Sequence, residues 1–291
     1  MADDASERDA LPYGRRKSAL SRREFGTLTL GAGLSSALPI AARAATEAQD
    51  VEIKTADGTA DAYFVHPQKQ ASAGVLMWPD IFGLRPAFKQ MATRLAEAGY
   101  AVLVVNPFYR RQRAPTAPEH PNMDDPPTRE KLMGFYNSLN AETTATDAKA
   151  FIPYLDAQSA VDRHKKLGTA GYCMGGPLTL RTAAAFPARV GAGASFHGGG
   201  LVTEKPDSPH LLIPKIKAHY LFAIAANDDQ KDPKAKDVLR ESFARAHLPA
   251  EIEVYAGTQH GWCPTDSRVY DHDQAEKAWS RMLALFKTAL A

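Results

Sequence analysis

The segment Gly171-Tyr172-Cys173-Met174-Gly175, with Gly176 behind it, constrains this chain more than any other. Glycines two positions either side of a reactive side chain are what a sharp strand-to-helix turn requires, because side chains there would collide with the strand or the helix. The apolar run from Leu167 to Ala170 supplies a strand before the turn, and the helix-forming run from Leu178 to Phe186 supplies a helix after it. Most such turns carry serine at the centre; this one carries a cysteine.

The rest of the chain continues the alternation. Val51 to Thr55 and Ala62 to His66 alternate apolar and polar residues and read as a hairpin with Asp57-Gly58 at its turn. Gly74 to Trp78 and Ala101 to Val105 are short unbroken apolar runs, the pattern of strands buried on both faces of a parallel sheet. Between them Phe88, Met91, Leu95 and Ala98 keep helical spacing up to Gly99. Pro107 to Pro127 is polar and proline-rich and reads as a long excursion. A helix from about Glu142 to Leu155, strands Gly191 to Phe196, Tyr220 to Ala225 and Ile252 to Tyr255, and helices from about Pro233 to Ala246 and Gln274 to Leu290 follow. The order predicts an α/β fold: a mostly parallel eight-stranded sheet with helices on both faces and functional residues at the strands' carboxyl ends.

The first 44 residues stand apart. Ser21-Arg22-Arg23-Glu24-Phe25 is a twin-arginine pattern, Gly26 to Ala42 is weakly apolar and uncharged, and Ala42-Arg43-Ala44 offers the small residues a signal peptidase reads. The expectation is a twin-arginine signal peptide over 1–44, the export machinery as a partner, a periplasmic or secreted product, and one domain over 45–291. The apolar stretch falls short of the ~20 strongly apolar residues of a membrane span, so no stable anchor is expected. The leader holds seven of the chain's 35 Lys and Arg and five of its 33 Asp and Glu, which leaves 28 of each sign. A balanced domain carries no footprint for nucleic acid. The one dense basic cluster, Arg110-Arg111-x-Arg113, suits at most a small acidic ligand.

Acyl transfer needs a nucleophile, a base, a carboxylate to orient the base and donors for an oxyanion. Cys173, Asp228 or Asp229, and His260 follow the chain order nucleophile, acid, histidine of the α/β-hydrolase arrangement. Either aspartate could instead cap a helix; Asp228 is preferred, as the acid three residues after Ala225. The backbone N–H of Met174, at a helix start whose dipole favours negative charge, and that of Ile81, after the strand ending at Trp78, are the candidate oxyanion donors.

Five segments carry a resemblance: Asp80-Ile-Phe-Gly-Leu, Asn106-Pro-Phe-Tyr-Arg-Arg-Gln, Gly171-Tyr-Cys-Met-Gly-Gly, Ser195-Phe-His-Gly-Gly-Gly-Leu, and Gln259-His-Gly-Trp followed by Tyr270-Asp and Ala278-Trp. Together they resemble the dienelactone hydrolase family from about residue 51 to the end. The resemblance implies an α/β-hydrolase fold and a Cys173–His260–Asp228 triad that opens lactones such as dienelactone. It also implies no metal or other cofactor and a small lactone or ester as substrate; a monomer is expected. Arg111 matches an arginine that binds the substrate carboxylate, a task suited to two parallel hydrogen bonds; Asp80 and His197 join it as substrate-binding candidates. Asp80 stands where the family often has a glutamate facing the resting thiol and is one methylene shorter. A second substrate-binding arginine has no clear counterpart after His260, with Arg268 further along. A thioesterase or peptidase would share the triad. A Cys173–Cys263 disulfide, which oxidising surroundings permit, would instead make the domain non-catalytic.

Overall fold

The computed structural model describes residues 44–119 and 121–291, so all of the expected signal peptide except Ala44 lies outside the described residues. The amino-terminal hairpin, β1 (Thr46–Thr55) and β2 (Gly58–Pro67), pairs antiparallel from Thr46 opposite Pro67 to Thr55 opposite Gly58. Gly58 closes the turn at φ 139°, a conformation that residues with side chains rarely adopt. The remaining strands are β3 (Gly74–Trp78), β4 (Ala101–Val105), β5 (Leu167–Tyr172), β6 (Val190–Phe196), β7 (His219–Ala225) and β8 (Ala250–Tyr255). They form the eight-stranded sheet β1-β2-β4-β3-β5-β6-β7-β8. β2 meets β4 antiparallel and every later pairing is parallel.

Side-chain alternation along β3 divides the interior in two. Leu76 and Trp78 join one cluster with Phe151, Ile152 and Leu155 of α3 (Ala141–Ala157), Leu178 of α4 (Gly175–Ala185) and Phe243 of α6 (Ala235–Arg245). Val75 and Met77 join the other with Phe88, Met91 and Leu95 of α1 (Pro86–Glu97) and Trp279, Met282 and Phe286 of α7 (His272–Ala289). Helices therefore cover both faces, as the alternation predicts. In α7 the Asp271 cap contributes about 1 kcal/mol. Each of the three large buried side chains named above contributes about 1.5–3 kcal/mol, so packing holds this helix more than capping does.

Three further elements were not anticipated. α2 (Pro126–Tyr136) starts inside the proline-rich excursion, with Pro126 in its first turn and the Asp125 side chain accepting from the Thr128 N–H. A 3-10 turn spans Pro209–Lys215, and α5 (Ala226–Lys231) is six residues following β7. Both are too short for hydrophobic periodicity to register.

The chain leaves β3 toward β4 on one side and returns through α3 to β5 on the other. The order thus reverses between β3 and β5, which opens a crevice at their carboxyl ends. The cysteine turn follows β5 and the Asp80 loop follows β3.

Candidate active site

The turn after β5 is built by close approach. A Cβ on Gly171 would lie 2.1 Å from the Gly175 carbonyl oxygen, and one on Gly175 would lie 2.5 Å from the Trp78 carbonyl oxygen. Cys173 itself sits at φ 54°, a strained setting for a residue with a side chain. Its N–H donates to the Phe196 carbonyl at 3.0 Å, and its carbonyl accepts from Gly176 at 3.0 Å and Gly199 at 3.3 Å. β6 and α4 thus hold the turn from both sides. Met174 caps α4, and Ile81 lines the cavity above Cys173.

The loops after β7 and β8 bring the other groups in. His260 Nε2 lies 3.0 Å from Cys173 Sγ, and His260 Nδ1 lies 2.6 Å from Asp228 Oδ2. The two loops are tied together: the His260 N–H donates to Asn227 Oδ1 at 2.8 Å, and the Ala226 N–H donates to Thr258 Oγ1 at 3.2 Å. The choice between the two aspartates is made by direction. Asp228 faces the imidazole, whereas Asp229 accepts from Lys236 Nζ at 2.6 Å. Burial disfavours a charged imidazole at His260, but the hydrogen bonds to Asp228 and Cys173 outweigh it and push the group up to about 10.

His197 follows β6 at φ 40°, 1% exposed, with neither ring nitrogen hydrogen-bonded. Its ring stands edge-on to that of His260, with centroids 5.1 Å apart. Burial, reinforced by the neighbouring His260, holds it well below the ordinary histidine range and favours the uncharged imidazole. It forms part of the cavity wall.

That cavity has a volume of about 720 Å³ and is walled by the β3–α1 loop, residues 121–124 and the β8–α7 loop. Here the structure corrects the placement of Arg111 and answers two open questions, the reach of Asp80 and the pairing of Cys263. Asp80 lines the cavity but makes no hydrogen bond to Cys173: its Oδ1 accepts from Phe82 N–H at 2.9 Å and its two oxygens take Arg85 at 2.6 and 2.9 Å. The short side chain folds back on its own loop, an Asx-type turn, instead of reaching across. Arg111 is exposed and is absent from the cavity wall, because the turn that carries it directs Arg110, not Arg111, inward to Asp147. Cys173 and Cys263 are both free thiols. Cys263 is buried in the α1–α7 core, where burial raises its thiol well above the ordinary range, while Cys173 opens into the cavity.

Arg85 was not anticipated. Its five N–H groups are all used: Nε and Nη2 donate to Asp266 at 2.7 and 2.9 Å, Nη2 and Nη1 to Asp80, and Nη1 to the Gly83 carbonyl at 3.4 Å. The only sequence signal was an arginine before Pro86, where a helix begins; its partner Asp266 is 181 residues away. Arg268 also lines the cavity, beside Asn122 and 3.6 Å from Asp124. Among the described residues no group of three or more His, Cys, Asp or Glu is placed to hold a metal ion. No helix among them is long and apolar enough to cross a membrane.

A mostly parallel eight-stranded sheet, a cysteine on the turn after β5, and an acid and a histidine after β7 and β8 define an α/β hydrolase. The model of the Dienelactone hydrolase family matches residues 60–290, and the chain belongs to that family; it is a hydrolase of the lactone and ester class. It is 25% identical over 238 residues to the carboxymethylenebutenolidase of Rhodococcus opacus, covering 80% of this chain and 88% of that protein. It is 25% identical over 236 residues to the carboxymethylenebutenolidase of Pseudomonas putida, covering 81% and 94%. Among solved structures it is similar to a dienelactone hydrolase-like promiscuous phosphotriesterase from metagenomic libraries. That match has a TM-score of 0.69 and 21% identity, over 85% of this chain and 100% of that one, a likeness of fold.

Proposed function

We propose that this chain hydrolyses small lactones or carboxylic esters by covalent catalysis at Cys173. The observation that carries the reading is the unbroken chain from Asp228 through His260 to Cys173 at the floor of the 720 Å³ cavity. In the proposed cycle His260 takes the thiol proton and the Cys173 sulfur attacks the substrate carbonyl carbon. The resulting oxyanion lies against the N–H groups of Met174 and Ile81, each such donor being worth about 3 kcal/mol in the transition state. Collapse breaks the carbon–oxygen ester bond, and the imidazolium proton goes to the leaving oxygen, which in a lactone stays attached to the acyl group. Water, giving its proton to His260, then attacks the thioester carbon. The acid leaves and the proton returns to Cys173. Asp228 orients His260 and stabilises its charged form throughout.

The test is a rate comparison of wild type and Cys173→Ala on lactones, aryl esters and acyl thioesters. The variant is expected to lose about 10⁴-fold or more on every substrate that wild type hydrolyses. Full activity in the variant would remove the nucleophile, and a marked preference for thioesters would move the substrate class. We further propose that residues 1–44 direct twin-arginine export. Replacing Arg22 and Arg23 with lysine should hold the protein in the cytoplasm; equal periplasmic recovery of that variant would end the proposal.

A further inference from the structure

Four arginine side chains among the described residues are less than one-fifth exposed, and three of them are closed by carboxylates. Arg85, 10% exposed, is saturated by Asp80, Asp266 and the Gly83 carbonyl. Arg110, 15% exposed, holds Asp57 and Asp147 with contacts down to 2.6 Å, and Arg189, 18% exposed, holds Asp156 at 2.7 Å. Arg181, 13% exposed, is the exception. Its Nε is fully buried with no hydrogen-bond partner, and its nearest carboxylate, Asp207, stands off at 3.8 Å from Nη2, beyond hydrogen-bond reach. Asp207 is itself half-exposed. Burial lowers the Arg181 guanidinium below its ordinary value, whereas close carboxylates raise Arg85 and Arg110.

An unpaired donor on a buried guanidinium costs about 1–3 kcal/mol or more, so such groups are ordinarily satisfied. Arg181 faces a pocket of about 200 Å³ between α4, the end of α2 and the loop after β6, with Thr203, Lys205 and Asn137 on its other walls. The two terminal nitrogens of a guanidinium offer paired donors that match two oxygens of one anion. Lys205 adds a second positive charge across the pocket, and Asp207 can swing into solvent.

We infer that the Arg181 pocket is a binding site for a small oxyanion, of the carboxylate or phosphate class, held by the terminal guanidinium nitrogens with Lys205 and Thr203. The pocket shares no lining residue with the catalytic cavity, so its ligand is a separate anion and not the acid group of the substrate. It is nevertheless adjacent: the Met174 side chain forms part of its wall, next in sequence to Cys173. The inference is independent of the proposed chemistry, since it requires no turnover.

The experiment is calorimetric titration of the full chain with inorganic phosphate and, separately, with acetate. Wild type is expected to bind at least one of them saturably, and protein alkylated at Cys173 with iodoacetamide is expected to bind it equally. Arg181→Gln should weaken binding about tenfold or more, and Lys205→Ala by several-fold. If Arg181→Gln does not fold, the exposed Lys205→Ala carries the test alone. No saturable binding of either anion, affinity unchanged in the variants, or loss of binding on alkylating Cys173 would each overturn the inference; the last would place the anion in the catalytic cavity.

Discussion

Two polar networks look into the same cavity, and they end differently. The Arg85 node is closed: five donors meet five acceptors, its Asp80 is buried, and no N–H is left for a ligand. The Cys173 chain is open. Asp228 and His260 satisfy one another, but the sequence of hydrogen bonds stops at a partly exposed sulfur held at φ 54°, and His197 beside it has both ring nitrogens unpaired. A closed network fixes the β3–α1 loop to the β8–α7 loop and so shapes the walls. An open one leaves a sulfur free on its cavity side, which is what the proposed attack on a substrate carbonyl would use. Around this cavity the complete network serves as support, and the incomplete one is where the proposed chemistry is placed.

The sharpest way to break that contrast is to treat neighbours differently. Asp228→Asn removes the charge that holds His260 in place and should lower kcat/KM by about 10³–10⁴-fold with the fold intact. Asp229→Asn loses only the pair with Lys236, a partly exposed contact, and should stay within about threefold. Steady-state rates on whichever ester wild type hydrolyses best settle this. Equal losses in the two variants would mean that the 2.6 Å contact to His260 does not define the orienting acid.

The closed node should fail in stability before activity. Arg85→Met leaves Asp80 buried without its cation, a change that ordinarily costs about 3–5 kcal/mol. For a domain of this size that corresponds to a fall in Tm of very roughly 6–20 °C. Asp266→Asn, at a carboxylate that is 41% exposed, should cost below about 1 kcal/mol. Calorimetry on the two variants checks the ratio. An Arg85→Met protein as stable as wild type would show that Asp80 is satisfied by its own loop.

What could be read from the residues follows the same division. The strands, the helices on both faces and the elbow were legible because each is written in local pattern: apolar runs for β3 and β4, helical spacing at Phe88, Met91 and Leu95, glycines around Cys173. His260 and Asp228 were legible because chain order places them after successive strands. The preference for Asp228 over Asp229 matches the direction the side chains take, which depends on one turn of α5 that no periodicity announces. Arg85 and Asp266 were not legible, since their pairing joins loops 181 residues apart. Arg111 was misplaced for a related reason: in a basic cluster the choice of which arginine turns inward is made by Asp57 and Asp147, which belong to other elements.

The last contrast lies within the site, between two imidazoles 5.1 Å apart whose shifts have opposite signs. His260 is raised from 6.5 to about 10 in the folded chain, so the folded state binds its proton more tightly than the unfolded state does. Its contribution to stability is fully present below pH 6.5 and is lost as pH rises through about 10. His197 is lowered well below 6.5, so the unfolded state binds the proton more tightly. Its contribution is fully present above pH 6.5 and declines as pH falls below that value. Thermal unfolding of wild type, His260→Gln and His197→Phe from pH 5 to 10.5 separates the two. His260→Gln should lose less stability than wild type between pH 6.5 and 10, and His197→Phe should lose less below 6.5. If His260→Gln followed the wild-type alkaline slope, the imidazole would not hold its proton through Asp228 and Cys173, and the open network would lack the charge separation that the proposed chemistry uses.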